Sequence, residues 1–189
     1  MAQELIKIGI IVGSTRPGRN GEAVARWVHD NALRRGDAHY ELVDLKDYDL
    51  PHLDEPLAAA TGVYEHPHTK AWSDTIAGFD GFVFVTPEYN HSTSGALKTA
   101  IDFLFAEWHD KAAGVVGYGV SGGVRAAEHL RQVLGQVKVA DVQAAVELLT
   151  HADFENYTTF KPAGHQGDML GRLLDQVVSW STALRPLRA

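Results

Sequence analysis

The chain alternates short apolar runs with longer stretches in which apolar residues return every three or four positions. Leu5 to Val12, dominated by Leu, Ile and Val, has the pattern of a central strand covered on both faces. Glu22 to Arg35 follows at helical period, with Val24, Trp27, Val28 and Leu33 as its buried stripe and Asn20 as its N-cap. Tyr40 to Leu45 reads as a second strand. Residues 46–66, which hold Pro51, Pro56 and Gly62, read as an irregular connection. Pro67 suits the first turn of a helix that carries Trp72 and Ile76 and stops near Gly78. Gly81 to Val85 is the third strand, and Leu97, Ala100, Ile101 and Leu104 mark the helix behind it. Ala112 to Val120 is the fourth strand and Val124 to Leu134 its helix. Val137 to Val142 gives a short fifth strand, with Val146 to Leu149 a candidate extension. A polar loop from His151 to Gln166, whose Phe154, Tyr157 and Phe160 suit it to cover either a subunit contact or the active site, then leads to a last helix built on Leu170, Leu173, Leu174, Val177 and Val178.

Five strand–helix units in succession predict an α/β fold, a doubly wound five-stranded parallel sheet with helices on both faces. The common strand order for this number is 2-1-3-4-5, which makes strands 1 and 3 neighbours at the switch point and puts the ligand crevice outside their carboxyl ends. No repeat or linker interrupts the pattern, so 1–189 reads as one domain.

Composition narrows the chemistry. With 17 basic against 24 acidic residues the formal charge is −7, which argues against nucleic acid or an anionic membrane as partner. The absence of cysteine excludes disulfides, thiol catalysis and thiolate metal sites, so any redox role needs a bound cofactor. Ile6 to Val12 is too short to span a membrane and lacks a cleavage-site pattern, so a cytoplasmic location is expected.

The loops after strands 1 and 3 are the chemically unusual ones. Gly13-Ser14-Thr15-Arg16-Pro17-Gly18-Arg19-Asn20-Gly21 combines backbone freedom, hydroxyl donors and two arginines at a helix N-terminus, a combination suited to a phosphate. It nearly matches the nucleotide-hydrolase phosphate loop, but Arg19 replaces the lysine and Asn20 the Mg²⁺-binding hydroxyl, which disfavours nucleotide hydrolysis. After strand 3 comes Thr86-Pro87-Glu88-Tyr89-Asn90 and a cluster of small polar residues, a rigid exposed loop on a buried scaffold.

GSTRPGRNG at 13–21 together with TPEYNHSTSGALKTAIDFL at 86–104 resembles the NADPH-dependent FMN reductase family, which includes quinone, azo-dye and chromate reductases. The likeness covers most of the chain. It implies a flavodoxin-like fold holding FMN without a covalent bond, reduced by NADPH or NADH and reoxidised by a small-molecule electron acceptor. It further implies that Ser14, Thr15, Arg16, Arg19 and Asn20 surround the FMN phosphate. Pro87, Glu88, Tyr89 and Asn90 would line the isoalloxazine edge, and Ser121, Gly122 and Gly123 would approach its pyrimidine end. A homodimer or homotetramer is implied as well. No side chain is expected to act as catalytic acid or base, because the flavin carries the chemistry.

Other readings compete. Gly117-Tyr118-Gly119-Val120-Ser121-Gly122 matches the dinucleotide pattern G-x-G-x-x-G, with Asp141 near the spacing of a ribose-binding acid, so a Rossmann dehydrogenase is one rival. A flavodoxin-type electron carrier is another. Among ten histidines, His66 and His68 with His52 and Asp54 form the best metal cluster, but their spacing matches no zinc motif and solvated loop histidines are expected. No G-x-S-x-G elbow supports nucleophilic hydrolysis.

Overall fold

The computed structural model describes residues 5–188. Five strands, β1 (Lys7–Val12), β2 (His39–Asp44), β3 (Gly81–Pro87), β4 (Lys111–Gly119) and β5 (Val139–Leu149), form one parallel sheet in the order β2-β1-β3-β4-β5. The helices are α1 (Gly21–Leu33), α2 (Pro67–Ala77), α3 (Gly95–Asp102), α4 (Val124–Gln136) and α5 (His165–Leu184). This is the flavodoxin-like doubly wound arrangement that the alternation predicts. Among the described residues no helix is long and apolar enough to cross a membrane.

Alternation along each strand sorts side chains between two cores. Ile8, Ile10 and Val12 of β1, Val83 and Val85 of β3, and Val116 and Tyr118 of β4 pack with Val24 and Val28 of α1 and Leu173 and Val177 of α5. Ile11, Phe82, Phe84 and Val115 face the other way, against Trp72, Ile76, Ile101 and Leu130 of α2, α3 and α4. The indole N–H groups in this second core are both satisfied: Trp72 donates to the Ala100 carbonyl at 2.7 Å and Trp108 to that of Ile101 at 3.2 Å.

Two elements differ from the sequence reading. The fifth strand takes in the candidate extension Val146 to Leu149 as one continuous element, and what differs is its pairing with β4, which slips so that Ala113 faces Asp141 while Val115 faces Ala145. The slip explains the apparent break at Val142, because extra residues interrupt the two-residue alternation. Neighbouring side chains meet the backbone groups it releases: Gln176 accepts from the Ala144 amide at 2.9 Å and Arg131 donates to the Val142 carbonyl at 2.9 Å. Within the predicted polar loop 151–166 lies a hairpin, β6 (Phe154–Glu155) and β7 (Thr159–Phe160). Its tip residues Asn156 (φ 50°) and Tyr157 (φ 62°) are both left-handed, the backbone of a tight hairpin turn. Phe154 and Phe160 root it through edge and tilted contacts with Tyr118 and Trp27.

Candidate functional site

Val12 stands beside Val85 in the sheet, so the loops that follow β1 and β3 start side by side. A crevice of about 350 Å³ opens there. The loop after β1 supplies Arg16, Gly18, Arg19 and Asn20; the end of β3 supplies Pro87, Glu88 and Tyr89. Tyr118, Gly119 and Val120 come from the end of β4, and Thr150, Tyr157 and Thr158 complete the wall.

The two arginines of the first loop part company. Arg19 donates to the Ser14 carbonyl at 2.5 Å and forms an ion pair with Asp44, leaving its side chain only 7% exposed. Asp44 ends β2 opposite Val12, so a carboxylate stands beside the loop and counters the Arg19 charge. Arg16 is exposed, and among the described residues its guanidinium has no partner. Expectation had both arginines aimed at an anion; the structure leaves one free and uses the other as a brace. Asn20 sits at the N-cap position of α1 without making a capping bond. Its amide instead donates to the Tyr157 carbonyl at 3.1 Å, tying the hairpin tip to the loop. The first helical bond runs from the Val24 amide to the Asn20 carbonyl, so the amides of residues 21–23 are free at the positive end of the helix. Ser14 is buried, its hydroxyl sharing a hydrogen bond with that of Tyr89 at 3.0 Å and accepting from the Arg16 amide at 3.4 Å. Thr15 lines a neighbouring hollow with Leu45, Lys46 and Leu50.

After β3 the backbone makes a tight turn through Asn90 (φ 47°) and His91 (φ 74°), closed by Tyr89 and Ser92 amides on each other's carbonyls at 2.9 and 3.2 Å. The Glu88 amide is likewise used, donating to the Tyr118 carbonyl at 3.0 Å. Among the described residues the amides of Asn90 and His91 have no acceptor, so these two are the free donors of the turn. The Glu88 carboxylate turns toward α4, where Arg125 pairs with it and the Arg125 amide donates to it at 3.2 Å. Arg125 also donates to the Ser121 hydroxyl at 2.7 Å, which orders the turn after β4.

The glycine run in that turn is packed against its own strand. A Cβ on Gly123 (φ 75°) would lie 2.6 Å from the Tyr118 amide, so only glycine fits. Asp141 contradicts the dinucleotide reading of this run. It faces Ala113 near the start of β4, at the opposite end of the sheet from the glycines, and is paired with Arg131. A ribose-binding acid must stand beside the glycine turn, and this one does not. The His66 and His68 rings stack at 5.2 Å and His68 meets Asp54 at 3.0 Å, but among the described residues no group of three or more His, Asp or Glu could hold a metal.

Sequence reasoning did not single out Tyr118 or Thr150, and it left the 151–166 loop, which brings Tyr157 and Thr158, open between a subunit contact and the active site. Tyr118 carries the clearest signal, as the one hydroxyl-bearing residue in the otherwise apolar run Ala112 to Gly119. It is 6% exposed, and its buried hydroxyl has no hydrogen-bond partner among the described residues. Burial, aided by Tyr89, pushes the phenol pKa up, so it stays a neutral O–H donor. The other three residues lie beyond β5, and the crevice, one of the two places open to the 151–166 loop, is where Tyr157 and Thr158 return.

The model of the NADPH-dependent FMN reductase family matches residues 6–153. An NAD(P)H-dependent FMN reductase of Schizosaccharomyces pombe is 43% identical over 146 residues, covering 75% of this chain and 73% of the relative. Another, from a Nectria species, is 34% identical over 193 residues, covering 92% and 96%. The quinone reductase of Escherichia coli K12 is 34% identical over 139 residues, covering 69% and 70%. Among solved structures, the NAD(P)H:(acceptor) oxidoreductase flavoenzyme FerB of Paracoccus denitrificans superposes with a TM-score of 0.74 at 24% identity, covering 95% and 99%.

Proposed function

The chain belongs to the NADPH-dependent FMN reductase family, an oxidoreductase family using FMN and NAD(P)H, and from that premise we propose a cytoplasmic flavoenzyme that reduces small-molecule acceptors by a ping-pong mechanism. The acceptor is a flavin, a quinone, an azo compound or a metal oxyanion, and the working unit is a homodimer or homotetramer of single-domain chains. The observation that carries the reading is the convergence of the loops after β1, β3 and β4 on one crevice at the switch point of the sheet.

The residues present suit FMN. At one end Arg16 and the free amides at the start of α1 are donors for a phosphate, carried on the loop of Ser14, Thr15, Arg19 and Asn20 that Arg19 braces. At the other, Pro87, Glu88, Tyr89 and Asn90 and the Ser121-Gly122-Gly123 turn offer backbone close to a flat ring, with the Asn90 and His91 amides free to steady negative charge. When bound, FMN supplies the redox chemistry, accepting hydride from NAD(P)H and passing the electrons to the acceptor. The protein's part is to hold and orient. Arg19 is fixed by Asp44 and Glu88 by Arg125, so both loops meet a ligand with their shape already set. A single crevice means that oxidised nicotinamide leaves before the acceptor enters, and no side chain acts as catalytic acid or base.

The test is the visible spectrum of protein loaded with FMN and desalted. A retained flavin spectrum that bleaches under NADPH without oxygen, with steady turnover once a quinone is added, is the expected result. Retention without bleaching would instead favour an electron carrier, and absence of retained flavin would defeat the assignment.

A further inference from the structure

We infer that the Tyr118 hydroxyl is a phosphate-reading group of the cofactor site, and that Gly21 is glycine so that this hydroxyl can stand at the N-terminus of α1. The inference rests on the FMN reading above and adds to it a residue on β4, outside both loops that carry the resemblance.

Three observations converge. First, alternation along β4 turns Tyr118 to the α1 face of the sheet, into the same core as Val24 and Val28. Second, its hydroxyl is buried and has no partner among the described residues, although a buried polar group left unpaired is costly. The Ser14 and Tyr89 hydroxyls beside it already bond each other, and the Ser14 hydroxyl and the Gly21 amide approach the Tyr118 oxygen as donors, so the phenol's own proton is the group left without an acceptor. Third, a Cβ built on Gly21 would lie 2.6 Å from the Tyr118 hydroxyl oxygen, closer than real contacts allow. The phenol therefore occupies the space where any other residue would begin its side chain. It arrives beside the unpaired amides that open α1, and Tyr118 itself lines the crevice. Free amides, a helix dipole and a neutral O–H donor at one point fit a group with several acceptor oxygens and negative charge. The terminal phosphate of FMN has both, whereas riboflavin ends in a single hydroxyl.

The comparison of FMN with riboflavin is the test, read by fluorescence titration of the cofactor-free protein and its Tyr118→Phe and Gly21→Ala variants. Removing one hydrogen bond to a charged group should weaken FMN binding roughly 10-fold or more in Tyr118→Phe and leave riboflavin affinity unchanged. Cofactor-free Tyr118→Phe should melt no lower than the parent, because the hydroxyl it lacks has no partner to lose. Gly21→Ala, which displaces the hydroxyl, should cost FMN selectivity too, and the double variant should lose little beyond Tyr118→Phe. An unchanged ratio of FMN to riboflavin affinity in Tyr118→Phe, or an equal fall in both, would overturn the inference while leaving the enzyme assignment standing. Failure of the parent protein to bind FMN would defeat both.

Discussion

Lys111 shows how a residue can depend on pH without touching the crevice. It opens β4 only 3% exposed, donates to the carbonyls of Ile76 and Ala77 at 2.7 and 3.4 Å, and lies 5.5 Å from the centre of the Phe82 ring. Burial, with Arg188 adding and Asp80 and Glu107 opposing, lowers its pKa from 10.5 to about 7. The unfolded chain therefore keeps a proton that the folded chain gives up between about pH 7 and 10.5. Stability should rise with pH across that window, by at most about 1.4 kcal/mol per unit from this group. Denaturant unfolding at pH 7 and at pH 9.5 checks this, and Lys111→Met should flatten the difference; an equal slope in that variant would assign the effect elsewhere. At this scale sequence was an uneven guide. Arg16 and Arg19 are alike on paper, and what separates them is the Asp44 carboxylate, brought alongside by the β1–β2 register. The roles of Asn20 and Tyr118 likewise depend on partners more than ninety positions away.

At the scale of elements, the end of β5 is held to the start of α5 by a buried carboxylate. Asp153 accepts from the Leu149 and Ala163 amides at 2.8 and 2.9 Å and from the Gln166 side chain at 3.3 Å, while Gln166 also donates to the Glu147 carbonyl at 3.0 Å. Asp153→Ala would leave two backbone amides without acceptors and should cost about 2–4 kcal/mol. The loss should appear in the denaturant midpoint and as faster hydrogen exchange at Leu149 and Ala163; a change below about 0.5 kcal/mol would show that the clamp is not needed. The strands and helices on either side were legible because each buries one regular stripe. The hairpin inside 151–166 was not, since Phe154 and Phe160 find their partners, Tyr118 and Trp27, in distant elements. The slip in β5 was hidden for a related reason: Arg131 and Gln176, which make it tolerable, lie on α4 and α5.

For the whole molecule, ligand linkage offers the broadest check on the cofactor assignment. Free FMN at about a hundred times its Kd adds about 2.7 kcal/mol to folding stability. For a chain of 189 residues that corresponds to a rise in Tm of roughly 5–10 °C, whereas a crevice with no affinity for FMN gives none. The sheet order and the meeting of two loops at one edge could be read from the alternation of elements, because topology follows from connection rules that ignore side-chain detail. The third side of the crevice could not, because Thr150, Tyr157 and Thr158 come back to it by way of the hairpin. That hairpin is stiff where it is rooted and lightly held where it ends: among the described residues its tip is tied to the first loop by one bond, between Asn20 and Tyr157, and Tyr157 is 68% exposed. A single exposed hydrogen bond is worth about 0.5–1.5 kcal/mol, a small part of the free energy that keeps a domain folded. Opening the mouth therefore costs far less than unfolding the sheet, so a ligand of the crevice can exchange through it while the fold stays intact.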